Sequence, residues 1–229
     1  MGNGLFQQLM TLMARNRAKI IFLFKILYVF LSAFLLIGIW GLYTKADWSL
    51  FFLLQAVRFG EVGLILYCAT LIPGIFRRFR IRHPLIQIIM LFRRYIGITV
   101  FLCISVHYWF QRGVLVLQSG RLEFFAQFEL FGYFAYLLLF SLFVTSNDWS
   151  TKHLRKWWDY IHRLTYGALF LVFFHVALQR ISVWSLLAGV FLLLEIVSFI
   201  KVFFFKPQTQ APASQPTVST PTQNQNHEQ

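Results

Sequence analysis

Residues 20–43 read IIFLFKILYVFLSAFLLIGIWGLY, twenty-four positions carrying a single charge, Lys25. A run this long and this apolar crosses the ~30 Å hydrocarbon layer as a helix, because every backbone N–H and C=O is then satisfied within the segment. It is too long for the apolar stretch of a cleaved leader and lacks a small-residue cleavage site, so it is expected to be retained. Outward from it, further apolar runs lie at about 59–76, 91–111, 124–145, 158–178 and 182–205. The stretch 48–55 is apolar but short. It reads as an interfacial segment leading into the second helix, with Arg58 and Glu61 at the junction. The runs are continuous rather than alternating, which argues against a β-barrel. The expected fold is all-α and integral to the membrane: a six-transmembrane-helix bundle over residues 20–206.

Composition agrees. The chain is 58% hydrophobic and only 13% charged, where a soluble domain has about 25% charged residues. A net charge of +13 raises nucleic acid as a partner. The placement of the charges argues for membrane lipids and no nucleic acid, because they flank the apolar runs. Arg15, Arg17 and Lys19 precede the first run, and Arg77, Arg78, Arg80, Arg82, Arg93 and Arg94 lie around the second connection. Lys152, Arg155, Lys156 and Arg163 surround the fourth, and Lys201 and Lys206 close the last run. The other side carries Lys45, Arg112, Arg121 and Arg180. The positive-inside rule then places both termini in the cytoplasm of a multi-pass protein of the cell (inner) membrane. Residues 1–19 form a cytoplasmic N-terminal segment. Residues 207–229, rich in Pro, Gln, Thr, Ser and Asn, cannot bury a core and are expected to be a disordered cytoplasmic tail. Cys68 and Cys103 fall inside apolar runs and read as packing residues.

Three histidines lie inside the expected helices: His107, His162 and His175. Ionisable groups at membrane depth are costly and usually have a task or a partner. The third and fifth helices both run outward, so His107 and His175 lie at matching depth near the outer side and His162 lies near the inner side. Two neutral imidazoles facing each other across a gap are what a six-coordinate haem iron requires. His162 and His175 are about 20 Å apart along an ideal helix, a workable separation for two haems stacked through a bilayer. Thirteen residues before His107, at the depth of His162, stands Arg94. The same thirteen residues turn an ideal helix by about 220°, so a local irregularity or tilt is expected to bring both positions to one face.

These residues also form a recognisable pattern. Arg93-Arg94-Tyr95-Ile96-Gly97, followed ten residues later by His107, resembles the third helix of the ferric-reductase-like transmembrane superfamily. Within it the likeness is nearest to the MsrQ (YedZ) family, the haem-binding subunits of bacterial methionine sulfoxide reductase systems. The run from Gly132 to Thr145-Ser146 is similar to the fourth helix of that family. Trp158-Asp159-Tyr160-Ile161-His162-Arg163-Leu164-Thr165-Tyr166 is similar to its W-x-x-L-H-R-L-V-Y segment, and His175 stands at its next His. Gly60 and Leu71-Ile72-Pro73 fit its second helix loosely. The likeness covers about residues 58–180.

The resemblance implies a six-helix bundle holding one or two b-type haems. His107 and His175 would ligate the outer haem iron and His162 the inner one. Arg94 stands where oxidase and metalloreductase members carry a second His. A guanidinium is a poor iron ligand and suits a haem propionate or a flavin phosphate, so FMN or a quinone joins haem b as a candidate cofactor. Arg93 and Arg163 on the inner side, and Arg112, Arg121 and Arg180 on the outer side, are further candidates for propionates. The chain has no phosphate-cradling glycine loop. The implied function is therefore electron transfer from a cytoplasmic flavin reductase or quinol to an extracytoplasmic acceptor, such as a periplasmic molybdenum-containing reductase. A stand-alone metalloreductase and a haem-free transporter or assembly protein are the alternatives. Asp159 and Arg163 have the spacing of a local ion pair. Glu195, deep in the last helix, reads either as a proton-handling group or as a neutral hydrogen-bonded one.

Overall fold

The computed structural model describes residues 8, 11–81, 83–121 and 126–204. The expected tail, 207–229, and much of the segment 1–19 lie outside the described residues. The chain forms α1 (Arg17–Thr44), α2 (Leu50–Phe79), α3 (Pro84–Tyr108), α4 (Val114–Ser119), α5 (Gln127–Val144), α6 (Asp148–Leu154), α7 (Lys156–Gln179) and α8 (Val183–Phe204). A single 3₁₀ turn, Asp47–Ser49, precedes α2, and a π-helical turn, Trp109–Gly113, joins α3 to α4. Among the described residues there is no strand, and six helices are long and apolar enough to cross a membrane.

The helices run longer than the apolar count indicates. The stretch 48–55 is not a separate interfacial piece, because α2 is continuous from Leu50 through Arg58 and Glu61 to Phe79. Nothing in that stretch breaks a helix, and a helix does not stop where hydrocarbon does. The third span likewise begins at Pro84 and, through the π-helical turn, reaches Ser119. Pro84 takes the first helical position, where a missing N–H is harmless, and His83 caps it by accepting from Leu85 N. The connection between the fourth and fifth spans holds a helix of its own, α6, capped by Asn147 accepting from Ser150 N at 2.7 Å.

Four helices make the core. Tyr67, Leu71 and Ile75 of α2 meet Val100 and Phe101 of α3, Leu139 of α5, and Ala168 and Leu169 of α7. The other two long helices pack outside this group. Helix α1 lies against α3, where Phe34 joins Phe52, Ala56, Val106 and Phe110. Helix α8 lies against α2 through Ala188, Leu64 and Cys68. Both cysteines are buried and free, as packing residues are.

The outward surface is apolar. Phe22, Val29 and Trp40 of α1 are 62%, 71% and 67% exposed. Soluble monomers do not carry a continuous surface of that kind, whereas lipid accepts it. Long neighbours alternate in direction. One end of the bundle therefore gathers the start of α1, the α2–α3 and α5–α7 connections and the end of α8. We call it the basic end, and the opposite one the far end.

Candidate functional site

His107 and His175 come together at the far end. Their ring centroids are 6.2 Å apart and the ring planes stand at 73°. His107 sits two residues before the π-helical turn, and His175 sits in the last two turns of α7. Each ring is tied by one nitrogen to the backbone of a neighbouring helix. His107 Nδ1 lies 3.0 Å from the carbonyl of Ala56 in α2, and His175 Nδ1 lies 2.7 Å from the carbonyl of Phe128 in α5. A carbonyl can only accept, so each Nδ1 carries the proton and donates it. The other nitrogen, Nε2, is then an unprotonated lone pair, and among the described residues neither Nε2 makes a hydrogen bond.

Both rings line a cavity of about 750 Å³, within the ~300–1,000 Å³ typical of sites for cofactor-sized ligands. Its inner part is closed by Leu64, Ile104, Leu139 and Val172. Tyr108, Tyr133 and Tyr136 form an aromatic wall, with Tyr108 and Tyr136 stacked at 4.6 Å. Polar side chains line the cavity as well: Glu61, Gln111, Arg112, Glu129, Gln179 and Arg180. Arg112 is paired with Glu129 at 2.5 Å. Arg180 is exposed and makes no ion pair among the described residues.

The chemistry of this donor set can be tested against a metal-bearing ligand. A metal–imidazole bond is about 2 Å long and the ring centre lies about 1 Å beyond the nitrogen, so two imidazoles on one metal have centroids roughly 6 Å apart. The 6.2 Å spacing of His107 and His175 matches. Nδ1–H on a carbonyl with Nε2 left open is also the usual arrangement for a metal-binding imidazole. Among the described residues no three His, Cys, Asp or Glu side chains cluster as a metal site. The pair thus suits a ligand that supplies its own equatorial donors, as a porphyrin does. The residues present fit haem.

The basic end is built differently. His162 Nε2 lies 3.3 Å from Thr145 Oγ1, and its ring stacks on Trp158 at 3.9 Å. Arg94 is turned to the α5–α6 connection, donating to Ser146 O at 2.8 Å and to Asp148 at 2.6 Å. His162 and Arg94 therefore approach the same connection, each on its own partner, and do not face each other across a gap. Arg93 is exposed and makes no hydrogen bond among the described residues. Arg163 lies over the Tyr160 ring at 5.3 Å and forms no ion pair with Asp159 among the described residues, contrary to the spacing rule. The irregularity expected between His162 and His175 is also absent, because α7 is regular from Lys156 to Gln179. The departure from α-helix falls instead just after His107.

Glu195 has a partner that sequence reasoning did not supply. It is 3% exposed and paired with Arg78 of α2. Arg78 also donates to Ser198 Oγ at 2.7 Å and to the Tyr166 hydroxyl at 3.1 Å, and lies over the Phe199 ring at 4.2 Å. Sequence reasoning also missed the cavity tyrosines and Glu61, because which face they occupy depends on helix packing.

No protein-family model, curated protein or solved structure matches this chain.

Proposed function

We propose that the protein is a membrane b-type cytochrome that carries electrons from a donor on the basic side to an acceptor on the far side. The observation that carries this reading is the facing pair His107 and His175, each with Nδ1 on a carbonyl and Nε2 open to one cavity. Haem bound there supplies a one-electron iron centre. The chain's own residues hold and tune it. The Ala56 and Phe128 carbonyls fix the tautomer and orientation of the two imidazoles. The apolar floor excludes water from that end of the cavity. Arg180 in the cavity lining offers a charge to the acidic groups of the ligand.

The excess of Lys and Arg at one end supports a cytoplasmic basic end, so the cavity opens toward the extracytoplasmic side. An acceptor would meet the site there: a periplasmic molybdenum-containing reductase by the family likeness, or chelated iron if the chain is a stand-alone metalloreductase. The donor would be a cytoplasmic flavin reductase or a quinol. The geometry supports one haem held by two histidines. A second at His162 has one side chain to hold it, and that side chain is engaged with Thr145.

The test is optical. Full-length protein purified after expression with ample haem should give a reducible b-type spectrum and about one haem per chain. A colourless, haem-free preparation would sink the reading and favour the transporter or assembly alternative.

A further inference from the structure

The two histidines are held by the same device, on two different helices. The His107 proton goes to the carbonyl of Ala56, and the residue one turn on, at i+4, is Gly60. The His175 proton goes to the carbonyl of Phe128, and the residue at i+4 is Gly132. In an α-helix the carbonyl of residue i already accepts from the N–H of residue i+4. Its second lone pair can take another donor, provided that the donor can reach it. Each Cα–Cβ bond leans toward the helix N-terminus, so a side chain at i+4 stands over the turn that holds carbonyl i and crowds the approach. A donor can still come in from the side, as the hydroxyl of Tyr28 does to the carbonyl of Tyr95 past Thr99, but the imidazoles come in over the i+4 position itself, which glycine leaves open.

The space confirms it. A Cβ built on Gly60 would lie 2.9 Å from His107 Nδ1, and one on Gly132 would lie 2.6 Å from His175 Nδ1. Both are closer than carbon and nitrogen tolerate. In each case the atom met is the one that makes the hydrogen bond, held between two packed helices. Gly97, which shares α3 with His107, has nothing within 4 Å of the same position. Other glycines are packed as tightly, Gly38 against Phe110, Gly41 against Trp48 and Gly113 against Trp109, but among the described residues only Gly60 and Gly132 face a histidine nitrogen that is hydrogen-bonded to their own helix.

We propose that Gly60 and Gly132 are positioning residues that set the tautomer of His107 and His175, so that both Nε2 lone pairs face the cavity. As a statement about ligation this rests on the cytochrome reading; as a statement about hydrogen bonding it stands alone. Any side chain at either glycine displaces the ring from its carbonyl and releases the tautomer. The ring is then free to turn its protonated nitrogen into the cavity, where it cannot bind iron.

The test uses the full-length chain, ¹⁵N-labelled at histidine, in lipid bilayers and reduced with dithionite, so that any low-spin haem iron is diamagnetic. Solid-state NMR reads the hydrogen-bonded Nδ1–H of each ring, assigned by difference against His107→Ala and His175→Ala. Gly60→Ala should abolish the His107 signal and leave that of His175. Gly132→Ala should do the reverse, and Gly97→Ala should change neither. Haem-replete preparations of the two slot variants should also show a shifted midpoint potential or lowered haem occupancy. Unchanged Nδ1–H signals in Gly60→Ala and Gly132→Ala would overturn the proposal. If Gly60→Ala does not fold, Gly60→Ala combined with His107→Ala must fold, because the ring that the new Cβ meets is gone; a misfolded double variant overturns it as well. Wild-type protein without haem would remove the cytochrome reading, while the ring signals would still decide the slots.

Discussion

At the far end, His107 and His175 each give one ring nitrogen to a carbonyl and keep the other open to a shared cavity. At the basic end, His162 meets Thr145, Arg94 meets Asp148 and Ser146, and Arg78 meets Glu195, Ser198 and Tyr166. Both ends place costly polar groups in or near an apolar bundle. The basic end pairs most of its groups with one another, leaving Glu195 Oε1 as the one fully buried side-chain nitrogen or oxygen with no partner among the described residues. The far end leaves two lone pairs aimed into a cavity. Burial of polar groups therefore does not by itself mark a site in this protein; what sets the far end apart is that its two unmatched nitrogens belong to rings lining one cavity.

The largest effect belongs to the far end. On the proposed cytochrome reading, His107→Ala or His175→Ala would leave the haem one imidazole, and should lower haem content at least tenfold, read as haem per chain from the pyridine haemochrome. If haem is held by both rings at the 73° between their planes, the ferric wild type should give a low-spin signal of the strongly anisotropic kind that near-perpendicular imidazoles give. Normal haem content in both alanine variants would break the comparison at its first step.

Next comes the pair that fastens α2 to α8. The Arg78 and Glu195 side chains are 10% and 4% exposed. Glu195→Ala leaves a buried guanidinium short of its anion, a change worth about 3–5 kcal/mol. Thermal unfolding in detergent should show that loss, with less in Glu195→Gln, which keeps a hydrogen-bond acceptor. Replacing both, Arg78→Met with Glu195→Leu, should recover most of it. Haem content per folded chain should not follow, because neither residue lines the cavity.

Much of this was legible in the sequence, and the rest fails for identifiable reasons. The six spans follow from apolar length. Their ends do not, because the apolar stretches 84–90 and 114–119 are cut off from the central run by Arg93 and Arg94 and by Gln111, Arg112 and Gly113, and the helical backbone runs through both interruptions. The pairing of His107 with His175 follows from depth, which charge bias and chain direction fix. The expected role of Arg94 as a partner to His162 came from the same depth reasoning. Depth sets height in the bundle but not rotation about the helix axis, and Arg94 faces Asp148. The glycine slots had a trace in the sequence, at Gly60 and Gly132. The signal that gives them meaning, a histidine donating to the carbonyl one turn earlier, crosses two helices and is visible only once they are packed.

A smaller effect sharpens the comparison at His162. If the basic end is a self-satisfied layer, His162→Ala removes one contact with Thr145 and one stack on Trp158. Haem per chain and the far-end spectrum should then stay within error of the wild type, with a stability loss of about 1 kcal/mol. A fall in haem content by half would mean a second haem on His162, and the contrast between the two ends would have to be redrawn as two ligand sites.

The smallest effect is expected at Arg94. The Asp148 side chain is 84% exposed and Arg94 is 40% exposed, so solvent screens the pair and its loss in Asp148→Asn should cost about 0.2–1 kcal/mol. The value of the measurement lies in what Arg94 does when released. Freed from Asp148, it still donates to the carbonyl of Ser146 at 2.8 Å. If that bond holds it at the α5–α6 connection, electron transfer from a cytoplasmic donor should be unchanged in rate. An Asp148→Asn variant that reduces faster, or binds flavin phosphate more tightly, would show instead that Asp148 occupies the guanidinium that a ligand at the basic end would otherwise take.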